Sequence, residues 1–244
     1  MVSINLNSIF KAILICLGIV LAGHILGVVS AIGVENIQKG TFIIRDMFYF
    51  GHEKSLSALY SAGLFILLGC FFRAISSHAP SNHKGWHIIS YIAVFLACDE
   101  WFAIHDAVLN IYGRGPLNIP YWVWVYGTLT IILAISLIPF LKAIPRYLMT
   151  WLIISGLIFI SGSAIMEVVT YSFNDTGSLI QNIGWFFEDG LEMVGVLTMI
   201  LASISWLKKQ GVTELVLNKK LTYFVCLVGF LDLFVSYLIQ IKVL

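Results

Sequence analysis

The sequence predicts an all-α fold, a polytopic membrane helix bundle of seven transmembrane helices with the N-terminus in and the C-terminus out. Three observations carry this. Of 244 residues, 59% are hydrophobic and 11% are charged, where a soluble domain carries about 25% charged residues. Seven apolar stretches each supply the roughly 20 residues that a spanning helix needs. They fill the chain, so residues 1–244 read as a single transmembrane domain.

The first stretch, about 12–34, is too long for a signal-peptide core and no convincing cleavage site follows it, so it stays as a helix. The second, about 54–75, ends before Ala79-Pro80-Ser81-Asn82. The third, about 86–110, and the fourth, about 121–142, are separated by Gly113-Arg114-Gly115-Pro116 and Pro120. Pro139 and Pro145 flank Lys142 before the fifth, about 147–172, and Asn174-Asp175-Thr176-Gly177-Ser178 precedes the sixth, about 182–206. Lys208-Lys209-Gln210-Gly211 closes the sixth, and the seventh runs about 220–241. Residues 41–50 precede the second stretch and read as an interfacial helix, a lid or an apolar loop resting on the bundle.

Basic residues set the orientation. Lys11, Arg73, Lys84, Lys142, Arg146, Lys208, Lys209, Lys219 and Lys220 fall on the N-terminal side, against Lys39, Arg45, Lys54, Arg114 and Lys242. The larger set faces the cytoplasm, in a plasma (inner) membrane. Trp86, Tyr121, Trp122, Trp124, Trp151, Trp185 and Trp206 near span ends fit an aromatic belt. Cys16, Cys70, Cys98 and Cys226 form no CxxC pair and read as small buried hydrophobes. A net charge of +1 gives no reason to expect nucleic-acid binding.

Seven of the thirteen acidic residues lie inside these stretches: Asp99, Glu100 and Asp106 in the third, Glu167 in the fifth, and Glu188, Asp189 and Glu192 in the sixth. No Lys or Arg sits in the apolar centre of any stretch. A charged carboxylate at the bilayer centre costs roughly 2.5–3.5 kcal/mol on insertion scales. Alternating helix directions put all seven acids at one depth, in the outer half. On a helical wheel Glu188, Asp189 and Glu192 share an arc, as do Asp99, His105 and Asp106, while Glu100 points elsewhere. Carboxylates and one imidazole from several helices resemble the ligand sets of metal sites in helix bundles. Such ligands suit Fe, Mn or Zn.

Other groups read as structural. His24 is placed mid-helix, as a helix–helix hydrogen-bonder. His52 and Glu53 read as a solvated loop, and His78, His83 and His87 as interfacial. Asp232 sits in the seventh stretch, as a proton step or a partner of Ser236 and Tyr237. Tyr171, Ser172 and Asn182 are candidates for outer hydrogen bonds to the site.

A retinal protein needs a Lys deep in its last helix, and Lys219, Lys220 and Lys242 lie only at the ends. The helix count and orientation look like the seven-helix zinc amidohydrolases that include alkaline ceramidases, but residues 220–241 lack that family's HxxxH pair. Two motifs stand out: Asp99-Glu100-Trp101-Phe102-Ala103-Ile104-His105-Asp106 and Glu188-Asp189-Gly190-Leu191-Glu192-Met193-Val194-Gly195. In these the chain resembles uncharacterised bacterial multi-pass proteins, over the third to sixth helices. The resemblance implies that both motifs belong to one site and brings no activity with it.

The expectation is a membrane protein that binds one or two divalent metal ions. It acts as a metal-dependent hydrolase or a di-metal oxidoreductase on a lipid-like or membrane-accessible substrate. Asp99, His105, Asp106, Glu167, Glu188 and Glu192 are the ligands or their neighbours, with Asp189 or Glu100 as general base. One alternative is a proton or cation transporter or channel using the same acids. Another is a non-catalytic subunit of a membrane complex.

Overall fold

The structure, a computed structural model, describes residues 2–31, 47–48, 50, 55–79, 83–116, 119–170 and 179–217. It is all-helical apart from one pair of short strands. The chain divides into two compact units, Met1–Tyr60 with Gly211–Leu244, and Ser61–Gln210.

The first unit holds strand β1 (Val2–Asn5), helix α1 (Leu6–Ala31), the start of α2 (Leu56–His78) and strand β2 (Glu214–Leu217). β1 pairs antiparallel with β2, with Ser3 opposite Val216 and Asn5 opposite Glu214. The Ser3 hydroxyl donates to Glu214 Oε2. The Leu6 N–H donates to Thr213 O at 3.0 Å. Asn5 Oδ1 accepts the Asn7 N–H at 2.9 Å and so caps α1. Ser55 caps α2 in the same way, its hydroxyl accepting the Ala58 N–H at 3.2 Å. Tyr60 donates to Ile13 O at 3.1 Å. His24 is the hydrogen-bonder expected: it is buried, and its Nδ1 accepts the Phe50 N–H at 3.1 Å. Within the 41–50 segment, Phe50 stacks on His24 at 4.3 Å, and a Cβ at Gly23 would strike the Phe48 ring. This part lies packed on α1.

The second unit is a set of antiparallel helices: the rest of α2, α3 (His83–Phe102), α4 (Ile104–Tyr112), α5 (Tyr121–Ser136), α6 (Ile138–Ala143), α7 (Arg146–Thr170) and α8 (Leu179–Lys209). α7 is α-helical over Arg146–Ile160, π-helical over Ser161–Met166 and α-helical again over Glu167–Thr170. α2 meets α3 where the Ser90 hydroxyl donates to Gly69 O at 2.9 Å. Farther along, Phe72 and Trp86 stack at 5.9 Å. α3 meets α5 at Phe95 and Tyr126 (6.2 Å) and α6 at Trp86 and Phe140 (5.1 Å, edge to face). α2 meets α7 at Phe65 and Phe159. α7 and α8 approach most closely. A Cβ at Gly195 would stand 2.8 Å from Phe159 N and 2.9 Å from Ser155 O. Only a residue with no side chain admits that distance.

Four helical segments among the described residues are long and apolar enough to cross a membrane: Leu6–Val28, Leu56–His78, Arg146–Thr170 and Ile183–Lys209. Leu129, Ile131, Ile132 and Ile135 on α5, and Leu157, Ile160 and Ile165 on α7, are exposed. An apolar exterior of this kind is compatible with a membrane protein.

Several expectations change. The third predicted stretch is two helices, broken at Ala103. The fourth is also two, interrupted at Leu137. Pro139, two residues on, has no N–H to give and its ring crowds the preceding turn. The seventh stretch lies outside the described residues, as do His52, Glu53, Tyr171, Ser172 and Asp232. Trp86, Trp122 and Trp206 are buried rather than set in a belt. Large aromatic rings contribute most where neighbouring rings cover them. Cys16 and Cys98 are exposed, not buried. They lie on apolar helix exteriors, where a thiol substitutes for a small aliphatic group.

The strand pair and the glycine contact can each be checked. Ser3 and Val216 are paired, so in a membrane both would have to lie on one side. In a cysteine-free background, Ser3→Cys and Val216→Cys will react with an impermeant maleimide from one side only, and the same one. Gly195→Leu will cost about 1–3 kcal/mol by overpacking, read as a lower melting temperature in detergent. Gly190→Ala, which meets open space, will leave it unchanged or raise it.

Candidate acidic site at one end of the helices

Asp99 lies in the last turn of α3, with 8% of its surface exposed. Four residues later Ala103 adopts φ 50° and ψ 49°, a left-handed conformation at the N-cap of α4. For a non-glycine residue this costs roughly 1–2 kcal/mol. The break ends the α3 ladder and turns the first N–H groups of α4 outward. One of them, His105 N–H, donates to Asp99 Oδ1 at 3.1 Å. Asp99 thereby supplies the side-chain cap that Ala103 cannot, and places its carboxyl at the positive end of α4. The same residue's ring nitrogen, His105 Nδ1, lies 3.1 Å from Asp99 Oδ2. The Tyr126 hydroxyl donates to Asp99 Oδ1 at 2.7 Å. Trp122, one turn before Tyr126 on α5, stands edge to face with Tyr126 at 5.7 Å and 5.3 Å from the His105 ring.

The other side of the site comes from α7 and α8. The π turn Ser161–Met166 ends at Glu167. A π turn adds a residue to the helix and so re-aims the side chains beyond it; such turns occur often at functional sites. Gly162 in this turn lies against the α8 backbone, and a Cβ there would meet Glu188 O at 2.6 Å and Glu192 N at 2.8 Å. Glu188 and Glu192, one turn apart on α8, therefore sit directly across from the turn that aims Glu167. Glu167 and Glu188 are within hydrogen-bonding reach of each other. Glu167 also lies within electrostatic reach of His105 and Asp106, and Glu192 within reach of Glu100, Asp189, Glu167 and Asp99.

Each of the other expected residues thus lies within hydrogen-bonding or electrostatic reach of Glu167 or Glu192. Glu100, which the helical wheel turned away, is among them. The wheel that eclipsed Asp99 with Asp106 assumed one continuous helix, and the break at Ala103 removes that premise. Among the described residues, no group of three or more His, Cys, Asp or Glu side chains stands arranged as it is to hold a metal ion. Several buried polar atoms at this end make no hydrogen bond of ordinary geometry, Glu167 Oε1, Glu188 Oε2, Thr170 Oγ1 and Trp122 Nε1, although Glu167 lies within hydrogen-bonding reach of both Glu188 and Trp122. Orphaned buried polar atoms are rare in folded proteins.

Sequence reasoning does not find Tyr126, Trp122 or Thr170 as parts of the site. A tyrosine four residues after a tryptophan in an apolar stretch is the available signal for the first two.

The Ala103 break gives a direct test. Ala103→Gly relieves the left-handed penalty and will raise stability by about 1 kcal/mol. Ala103→Val will lower it by more. Thermal unfolding of the detergent-solubilised protein reads both.

No curated protein and no solved structure matches the chain. The family DUF8692, described as a domain of unknown function, matches residues 12–207. That interval includes α3, α4, α7 and all but the last two residues of α8 and stops before β2, and the chain belongs to this family.

Proposed function

We propose that the acidic site binds a divalent metal ion, Fe, Mn or Zn, and that the protein is a metal-dependent membrane enzyme acting on a lipid-like or membrane-accessible substrate. One observation carries the reading: Glu167 and Glu188 face each other while Glu167 Oε1 and Glu188 Oε2 are buried without a hydrogen-bond partner. Two carboxyl groups so close in a low dielectric either share a proton or take a positive charge between or beside them, and a metal ion supplies that charge. His105, Asp106, Glu167, Glu188 and Glu192 are oxygen and imidazole donors of the type these metals take, with Asp99 beside them. Loading requires side chains to swing, since no cage stands preformed among the described residues. The metal, when bound, polarises water for hydrolysis or, if iron, activates oxygen. Asp189 or Glu100 serves as general base.

The seven-span, N-in topology belongs to the same reading. α3 runs antiparallel beside the membrane-length α2, and α5 with α6 runs the length of α3, from Tyr126 near Asp99 to Phe140 near Trp86. The β1–β2 pair requires an even number of crossings between them. Six crossings, followed by residues 220–241 as a seventh, meet that condition.

A second reading is a proton or cation transporter using the same acids. Helices interrupted at membrane depth favour it, because broken helices flank the sites of many transporters. Here the Ala103 break and the π turn both adjoin the acids.

Elemental analysis of the purified protein separates the two. The enzyme reading predicts one or two equivalents of metal, a lower melting temperature in chelator, and loss of both properties in Glu188→Gln. A metal-free protein whose melting is indifferent to chelator ends it. Proton or cation flux in liposomes that Glu188→Gln abolishes would establish the transporter.

A further inference from the structure

We infer that Asp99 is a positioning residue rather than a ligand: held by Tyr126, it grips His105 by backbone and ring together and presents His105 Nε2 to the acids of α7 and α8. This rests on the metal-binding reading of the site.

The contacts of Asp99 account for most of its accepting capacity. A carboxylate offers about four lone-pair sites. Oδ1 takes the Tyr126 hydroxyl at 2.7 Å and the His105 N–H at 3.1 Å. Oδ2 takes the ring, 3.1 Å from Nδ1. Little is left to offer a metal. Glu167 and Glu188, by contrast, each keep a buried oxygen without a hydrogen-bond partner.

The two-point grip decides what His105 can do. A carboxylate oxygen accepts, so the proton of the Oδ2–Nδ1 contact sits on Nδ1. A neutral imidazole with its proton on Nδ1 carries its lone pair on Nε2, at the far side of the ring. Histidine ligands in metal sites are held in this manner, one ring nitrogen donating to a carboxylate and the other facing the metal. Glu167 lies within electrostatic reach of His105. The Trp122 ring stands against His105 with the Tyr126 ring edge-on behind it, which restricts rotation of the imidazole. Ala103 completes the device. Without its left-handed turn the His105 N–H would join the helix ladder and the backbone half of the grip would be lost.

The test is the proton position on His105. Protein carrying 15N-histidine is examined by NMR in nanodiscs, with His105→Gln identifying the His105 signals. The expected wild-type pattern is a protonated Nδ1 and an unprotonated Nε2. Asp99→Asn places an amide donor opposite Nδ1 and will move the proton to Nε2. It will also weaken Zn2+ or Mn2+ binding by roughly 10–100-fold, the usual cost of losing such a partner. Tyr126→Phe removes one hydroxyl, will leave the proton on Nδ1 and will weaken metal binding several-fold. A wild-type His105 protonated on Nε2, or an Asp99→Asn pattern identical to wild type, overturns the inference. If Asp99→Asn does not fold, unchanged metal affinity in Tyr126→Phe overturns it. The expected 15N pattern in a protein that binds no metal counts against the metal reading alone and leaves the positioning role standing.

Discussion

Everything at the acid end of the helices depends on one constraint: carboxyl groups are kept inside a low-dielectric bundle without enough donors to satisfy them. Charged groups in such surroundings are expensive, and acids recur on α3, α4, α7 and α8. The close approach of α7 to α8 at Gly162 and Gly195 holds Glu167 opposite Glu188 and Glu192. A bulkier residue at either glycine would let the helices part and the acids find water. The tight contact and the unsatisfied oxygens are two aspects of one arrangement.

The same end concentrates the departures from regular helix. A left-handed alanine and a π turn each weaken the element that holds them, and each lies close in sequence to an acid. Local strain persists where the surroundings impose it, and it clusters at sites that bind or react. At the opposite end, Gly85, Trp86 and Phe140 pack as ordinary aromatic core, and Lys209 rests on the Tyr147 ring. The interruption at Leu137 also falls near this end, but there a proline accounts for it.

The long helices were legible because length and apolarity alone report a segment able to cross a membrane, as in Leu56–His78 and Ile183–Lys209. Alternating helix directions place the acids at one end, and Glu167 does lie across the α7–α8 contact from Glu188 and Glu192. The break at Ala103 was not legible, since alanine is the best helix former and gives no local warning. Pro139 carried a signal for the interruption between α5 and α6 through its missing N–H, yet the apolar stretch 121–142 reads through it as one helix. The π turn had no signal, because an inserted residue leaves the apolar pattern of Ser161–Met166 looking helical. Tyr126 is one more aromatic of an apolar stretch until its hydroxyl is found on Asp99. The strands were hidden for a different reason. Four residues are too few for a pattern, and pairing at a distance leaves no local trace.

That distance bears on how the protein is made. Ser3 reaches Glu214 across 211 positions of chain. The clasp therefore closes only after the chain has been made through residue 214, and contacts of such long range form late. Until then β1 waits unpaired while the helices between form and pack. A bulky group placed before β1, or a chain cut short before residue 214, would leave the helices formed and the clasp open.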